Sequence, residues 1–527
     1  MSDNIKIEDF VTFSDYVEEP QDLFEQLTRP FDNTLLLESA EIDTKAGTKS
    51  VLITSSSNRI SCFGNTVFFQ ALTPNGFNVN DQLYEILKNS KELTVTRNGN
   101  VLTAVYPELP SNIDEDSRLK STTVLDALRV VLRQLRCDQG SKYIFLGGCF
   151  AYDLIAGFEK LPQVKVSPND CPDFCFYLAE TMIRINHITQ ETKIYGITFS
   201  GRNNCRDYIM DRVQALKAHC DAFKRQEPQK PEKLQGVIES DLPDAEFCKI
   251  VEQLKENIRK GDIFQVVPSR TFAVNCPSAL ASYRQLKIAN PSPYMFYLND
   301  EMFTIFGASP ESSVKYTAET NEVEMYPIAG TRKRGFKADG TIDLDLDGRI
   351  ELYMRQDVKE VAEHLMLVDL ARNDIARISQ PGTRYVKDLL KVDRYSQVMH
   401  LVSHVVGQLR SDLDAIHAYQ ACMNMGTLTG APKIRATELI RSVERKRRGS
   451  YGGAIGWISG NGDMDTCIVI RSAFVKNQTA YIQAGAGVVY DSVPQSEADE
   501  TFNKAKAVLS AIAAAHGTTL KEIIRDE

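Results

Sequence analysis

No stretch of the chain approaches the run of about 18 apolar residues that a bilayer-spanning helix requires. The opening MSDNIKIEDF is polar and acidic, so it lacks the basic-then-apolar pattern of a secretory leader. The eleven cysteines are odd in number and scattered, and the closest pair, Cys171 and Cys175 in CPDFC, fits no zinc spacing. These absences imply a reduced, soluble, cytoplasmic protein with free thiols. Positive charge is not in excess: 61 Lys and Arg against 70 Asp and Glu leave a net charge of −9. A general nucleic-acid binder would carry a basic footprint instead. No repeat with a period of roughly 20–50 residues stands out, which excludes a solenoid.

What is present is an ordinary globular balance, 43% hydrophobic and 25% charged, in 527 residues. KRQEPQKPEK, Lys224 to Lys233, has two prolines and no apolar residue to bury, and so reads as a linker. It divides the chain into an N-terminal half, 1–223, a linker, 224–239, and a second half, 240–520. Before it, TLLLESAEI, SVLITSSS and GNTVFFQALT read as strands and STTVLDALRVVLRQLR as an amphipathic helix. SKYIFLGGCFAYDL reads as a strand, a glycine turn and a helix start. After it, a helix ends at Gly261, and the longest helical pattern runs from Asp347 to Ile378. GSYGGAIGWIS, DTCIVIRSAFV and TAYIQAGAGVVYDS read as late strands, and SEADETFNKAKAVLSAIAAA as a closing helix. Helices between hairpin-like strands predict an α+β class of antiparallel sheets layered with flanking helices, in two associated halves.

Two ExxE pairs carry chemistry: Glu360 and Glu363 in KEVAEH, and Glu497 and Glu500 in SEADE. Residues three apart share one helix face, so each pair presents two carboxylates side by side. They read either as solvated faces or as oxygen donors for a hard divalent cation, Mg²⁺ above all. LMLVDLA after the first pair buries that helix, and buried carboxylates need partners. AEHLM is not the HExxH of a zinc protease, and GTLTGAPK lacks the GK[ST] of a phosphate loop. Gly485 and Gly487 lie in a strand pattern, where glycine marks a bulge or the close approach of a ligand. Their N–H groups, Arg471 at the end of DTCIVIR and Tyr451 beside two glycines could together hold a carboxylate. His400, in the apolar VMHLVSHV, reads as a buried core residue or a base near neutral pH, with His404 one helical turn away. PIAGTRKRG and ERKRRG each read alone as solvated basic loops.

PIAGTRKRG, KEVAEHLMLVDLARND, VMHLVS, GTLTGAPKIRA, YGGAIG, DTCIVIR, QAGAGVVYDSVP and SEADE occur here in the order they have in chorismate-utilising enzymes. The chain resembles that family over about residues 240–515, and LLLES, GGCFAYD and NPSPYMFY extend the likeness into the first half. Among its branches it is most similar to the large subunits of anthranilate synthases. The resemblance implies the layered fold of these enzymes and a conversion of chorismate and ammonia to anthranilate and pyruvate. It places Mg²⁺ on Glu360, Glu363, Glu497 and Glu500. It assigns the carboxylate of the enolpyruvyl arm to Tyr451, Arg471, Gly485 and Gly487, and the ring pocket to Gly330, Thr331 and Thr427. His400 matches a histidine that moves a proton in the elimination, and Lys504 a lysine one turn beyond the last carboxylates. Aminodeoxychorismate synthases carry a nucleophilic lysine where this chain has Ala329, so alanine favours direct attack by ammonia. A tryptophan feedback site is implied at Glu38, Ser39, Lys49, Pro293, Tyr294, Met295, Ile455 and Trp457. No GxCxGxQ nucleophile elbow appears. The resemblance therefore implies a separate glutamine amidotransferase subunit as ammonia source, in a heterotetramer.

Overall fold

The computed structural model describes residues 7–524 except 30, 41–46, 111, 135–143, 200–202, 226–230, 235 and 395–397. The strands carrying the argument begin with β1 (Thr34–Ala40), β2 (Tyr294–Asn299), β3 (Ser312–Thr317), β4 (Glu322–Met325) and β5 (Ile328–Lys333). Helix α1 (Val358–Ala376), β6 (Tyr385–Arg394) and β7 (Val398–Gln408) follow. The last are β8 (Ala454–Ser459), β9 (Met464–Ile468), β10 (Thr479–Gly485) and α2 (Pro494–Ala515). Their ladders are antiparallel and belong to one large sheet, as the α+β reading expects.

That sheet crosses the boundary drawn at 224–239. β1 pairs with β2, Leu36 opposite Tyr297, and the strand Phe145–Phe150 pairs with β8, Cys149 opposite Ile455. Alternation explains the layering. Leu36 joins a cluster under the helices 203–221, 279–289 and 494–515, with Ile209, Tyr283 and Leu509. Its neighbour Leu35 points the other way, into a core of strand and loop residues that includes Ile53, Phe296, Ile305 and Phe474. A further cluster packs Phe150, Phe176 and Val405 under helices that include α1. Among the described residues ten cysteines are free thiols, and no helix is long and apolar enough to cross a membrane.

The structure corrects several local expectations. The continuous helix 347–378 is two helices, Leu344–Gln356 and α1, broken at Asp357. The Asp357 carboxylate accepts the N–H groups of Lys359 and Glu360, both at 3.1 Å. An N-cap of this kind contributes about 1 kcal/mol and starts a new helix axis. His400 and His404 lie on strand β7, not on a helix, so an even spacing rather than a helical turn puts them on one face. Gly147 and Gly148 lie inside a strand instead of a turn, paired with the strand Phe174–Asn186 so closely that a Cβ on Gly148 would collide with the Cys175 carbonyl. DTCIVIRSAFV divides into β9 and the strand Ser472–Lys476, with Arg471 between them at φ +48°.

ERKRRG is not a solvated loop. Arg448 is 1% exposed and donates to the carbonyls of Leu428 (2.8 Å) and Val267 (2.6 Å) and to Glu444 (2.6 Å). Glu444 also accepts Ser269 N–H and Oγ. Removing one member of a buried pair leaves the other charge uncompensated. Arg448→Met should therefore lower stability by about 3 kcal/mol or more, read as a lower urea midpoint. Glu438→Gln, at the partly exposed Arg435 pair, should cost less than about 1 kcal/mol.

Candidate functional site

The first two turns of α1 bring Glu360 and Glu363 to a cleft bordered by β5, β7, β10 and α2. Glu360 pairs through one oxygen with the Arg332 guanidinium, while its Oε2 is buried with no hydrogen-bond partner. That orphan oxygen lies 3.1 Å from where a Cβ on Gly330 would stand. Gly330 makes the room: it is the extra residue at a register shift between β5 and β7, at φ +79°. Burial raises the Glu360 pKa against the opposing pull of Arg332. Glu363 accepts a hydrogen bond from Gln265 Nε2 at 2.8 Å, and burial and then Glu500 push its pKa up.

From α2, Glu497 is buried and Glu500 half-buried. Burial, then Glu500, raise the Glu497 pKa, with Ser492 bonding against them. Glu500 thus acts on Glu363 and Glu497 alike, which sets the two helices' carboxylates against one space. Lys504 pairs with Glu500 at 2.5 Å and donates to the Gly485 carbonyl at 3.0 Å. Among the described residues no three His, Cys, Asp or Glu groups already converge as a closed ligand set. The donors nevertheless suit a hard cation: they are carboxylate oxygens, one of them orphaned, and three carry raised pKa values that a cation would relieve.

The opposite wall is cationic. Arg471 is half-buried; burial lowers its pKa, while Tyr451, Glu500 and Glu311 favour the charge it keeps at neutral pH. A Cβ on Gly485 would stand 2.8 Å from the Pro268 carbonyl and 2.9 Å from the Tyr451 hydroxyl, so glycine there keeps Tyr451 close to the strand end. A Cβ on Gly487 would meet Gln265 Nε2 at 2.8 Å and Glu363 at 3.5 Å. His400 shares a 2.9 Å hydrogen bond between Nδ1 and the Thr331 hydroxyl. Burial, reinforced by Arg471, lowers the His400 pKa to about 4, so the ring is neutral at pH 7.

Two residues in this cleft escaped the sequence reading. Glu311 is 6% exposed and accepts the Thr427 hydroxyl at 2.8 Å. Burial raises its pKa to about 8, against Thr427, Arg471 and Lys504, which leaves it protonated at neutral pH. Gln265 is 2% exposed, and its Oε1 has no hydrogen-bond partner. For Gln265 the signal was a polar side chain in the apolar stretch FQVV; Glu311 stands in ASPES, which is itself polar, and neither stretch has a distinctive spacing.

A second concavity, of roughly 330 Å³, opens where the two halves share the sheet. Ser39, Lys49, Tyr294, Met295, Ile455 and Trp457 line it, and Trp457 stacks on Phe145 at 5.5 Å. Glu38 borders it, but its carboxylate is taken on the other face of the sheet by Tyr283 and by Lys287, the latter at 2.6 Å. Pro293 is not among the lining residues, whereas Asp465, not singled out from the sequence, is. Burial raises the Asp465 carboxyl to about pH 6.

Comparison with known proteins identifies the family. The family described as chorismate binding enzyme matches residues 86–510. Anthranilate synthase component 1 of Vibrio parahaemolyticus is 55% identical over 95% of this chain and 92% of that protein. Its counterpart in Escherichia coli is 54% identical over 95% of this chain and 96% of that protein. The crystal structure of anthranilate synthase component I from Streptococcus pneumoniae superposes with a TM-score of 0.67 at 30% identity, covering 89% of this chain and 94% of that one. The menaquinone-specific isochorismate synthase of Escherichia coli shares the fold, with a TM-score of 0.66 at 16% identity over 97% of this chain and 95% of that one. The chain therefore belongs to the anthranilate synthase component 1 family of chorismate-utilising enzymes.

Proposed function

We propose that the chain converts chorismate and ammonia to anthranilate and pyruvate in a Mg²⁺-dependent reaction, and that tryptophan binds the second concavity as an inhibitor. The observation that carries the reading is the division of charge across the cleft. Carboxylates line one wall, and Arg471, Tyr451 and the Gly485 strand end form the other. Chorismate has two carboxylates. One suits the arginine and backbone donors directly, and the other suits the glutamate wall only with a cation between. Glu360, Glu363, Glu497 and Glu500 would hold that cation, whose bound form supplies charge neutralisation beside the ring carboxylate. A glutamine amidotransferase subunit would supply the ammonia.

The side chains divide the proton work. Gln265 Oε1, a buried acceptor without a donor, suits an ammonia N–H and would orient the nucleophile toward ring carbon 2. Glu311, protonated at neutral pH, is the acid for the departing 4-hydroxyl, which leaves as water. The ammonium formed at carbon 2 returns one proton to the Glu311 carboxylate. In the second stage neutral His400 takes the carbon 2 proton, the bond from ring carbon 3 to the enolpyruvyl oxygen breaks, and the methylene gains a proton. The products are pyruvate and an aromatic ring. Ala329 offers no amine to compete with ammonia, which favours this route over aminodeoxychorismate formation.

Purified chain with chorismate, Mg²⁺ and an ammonium salt should yield fluorescent anthranilate and equimolar pyruvate; an aminated ring that keeps its enolpyruvyl arm would instead indicate aminodeoxychorismate synthesis. At constant free ammonia, turnover should fall as pH rises through about 8, because Glu311 must hold its proton to act. Glu311→Gln should lower kcat by about 10²–10⁴-fold and erase that alkaline limb. Glu360→Gln and Glu497→Gln should each abolish Mg²⁺-dependent turnover and weaken Mn²⁺ binding measured by electron paramagnetic resonance, with an unchanged circular dichroism spectrum. Unaltered binding would remove the metal assignment.

A further inference from the structure

Between the second concavity and the catalytic cleft runs a row of polar groups that none of the chemistry above uses. It begins in the concavity with Asp465 on β9, whose Oδ1 accepts the Tyr294 hydroxyl at 3.3 Å. Lys315 on β3 is the cross-strand partner of Asp465, and its charge favours the Asp465 carboxylate. The Lys315 ammonium donates to Glu324 Oε1 on β4 at 2.8 Å. The other Glu324 oxygen receives the Tyr326 hydroxyl at 2.6 Å and faces His404 Nε2 at 2.9 Å. The Tyr326 ring stacks on His404 at 4.2 Å. Glu324 and His404 are each 6% exposed, so the low local dielectric strengthens these contacts.

The row ends on a strand that reaches the cleft. β7 carries His404 and, four residues earlier, His400. Between them Ser403 bonds His364 Nε2 at 2.7 Å, and His364 directly follows Glu363 on α1. The neighbouring strand β6 has slack at this point. Its pairing with β7 shifts register on both sides of Asp388, and Leu390 sits at φ +55° with its N–H on Ser403 Oγ at 3.0 Å. Asp388 Oδ2 stands 3.8 Å from His404 Nδ1, so the imidazole lies between two carboxylates, one on each neighbouring strand. Discrete alternatives of this kind, rather than continuous deformation, are what a packed interior can switch between.

Resting on the reading of the concavity as a tryptophan site, we propose that the Lys315–Glu324–His404 row transmits its occupancy to β7 and thereby to His400 and the Glu360–Glu363 helix. The ammonium of a bound amino acid takes Asp465 as its counter-charge and repels Lys315 toward Glu324. A tighter Lys315–Glu324 pair loosens Glu324 from His404. The imidazole then turns to Asp388, and the irregular β6–β7 ladder repacks beneath the cleft. Asp465, Glu324 and His404 are positioning groups in this scheme and touch no reacting atom.

Coupling between two binding sites is reciprocal, which permits a test without catalysis. Tryptophan affinity is measured by calorimetry with and without saturating chorismate, in the presence of Mg²⁺ and the absence of ammonia, and inhibition is measured separately in the ammonia-dependent assay. In the native chain, chorismate should weaken tryptophan binding by about fivefold or more. Glu324→Gln and His404→Gln should bind tryptophan within about threefold of the native value, lose the chorismate effect, and need about tenfold more tryptophan for inhibition. Ser39→Phe, inside the concavity, should lose binding itself. Lys315→Met gives the same readout should either first variant fail to fold. Variants that bind tryptophan, keep the chorismate effect and remain fully inhibited would overturn the row while leaving the tryptophan site intact. A native chain that binds no tryptophan would overturn the site and the row together.

Discussion

Too many carboxylates in one cleft is the constraint on which the rest of the molecule depends. Glu360, Glu363, Glu497 and Glu500 meet Glu311 there, opposed by Arg332, Lys504 and Arg471. Burial raises the pKa of four of the five, so as it stands the cleft opposes the full ionisation of its own side chains. The unfolded chain has no such conflict. Holding the groups together takes stability from elsewhere, and the layered core on both faces of the sheet provides it. On the proposed reading, this surplus of negative charge is what a divalent cation would neutralise on binding.

Local backbone choices place those charges. Asp357 stops one helix and starts another, which puts Glu360 in a first helical turn where the backbone dipole tolerates a carboxylate. The register shift at Gly330 bends β5 away from the orphan Glu360 oxygen, and the Gly485 strand end lets Tyr451 and Pro268 close together. Arg471 adopts the left-handed region, where a side chain costs of order 1 kcal/mol or more, and so turns out of a strand that would otherwise continue. Each device exchanges regularity for the position of one functional atom.

The sheet does more than support the cleft. Because β1 from the first half pairs with β2 from the second, and the Phe145–Phe150 strand pairs with β8, the wall of the second concavity belongs to both halves. A molecule seated there contacts strands whose ladders continue to β7 and His400. Two sites with no residue in common are in this way parts of one hydrogen-bonded structure.

Periodicity and motif order, both local properties, made much of this legible from the sequence. The ExxE pairs, Gly485, Gly487, Arg471 and Tyr451 stand in recognisable strings, and the strand and helix patterns around them hold in the structure apart from their breaks. The breaks at Asp357 and Arg471 were not legible, because capping and strand termination depend on which backbone groups find partners. Glu311 and Gln265 were missed for a related reason: a single polar residue outside a recognisable spacing looks alike whether it lies in a core, a loop or a cleft. The sequence by itself determined most element types, the carboxylate pairs and the family, since spacing and order survive without coordinates. Only the tertiary structure decided which carboxylates burial sets against ionising, that Arg448 is buried, that the Glu38 carboxylate is taken on the other face of the sheet, and that His404 meets Glu324. Those properties are set by burial and by partners far apart in the chain, 245 residues for Glu38 and Tyr283, which no spacing along the chain encodes.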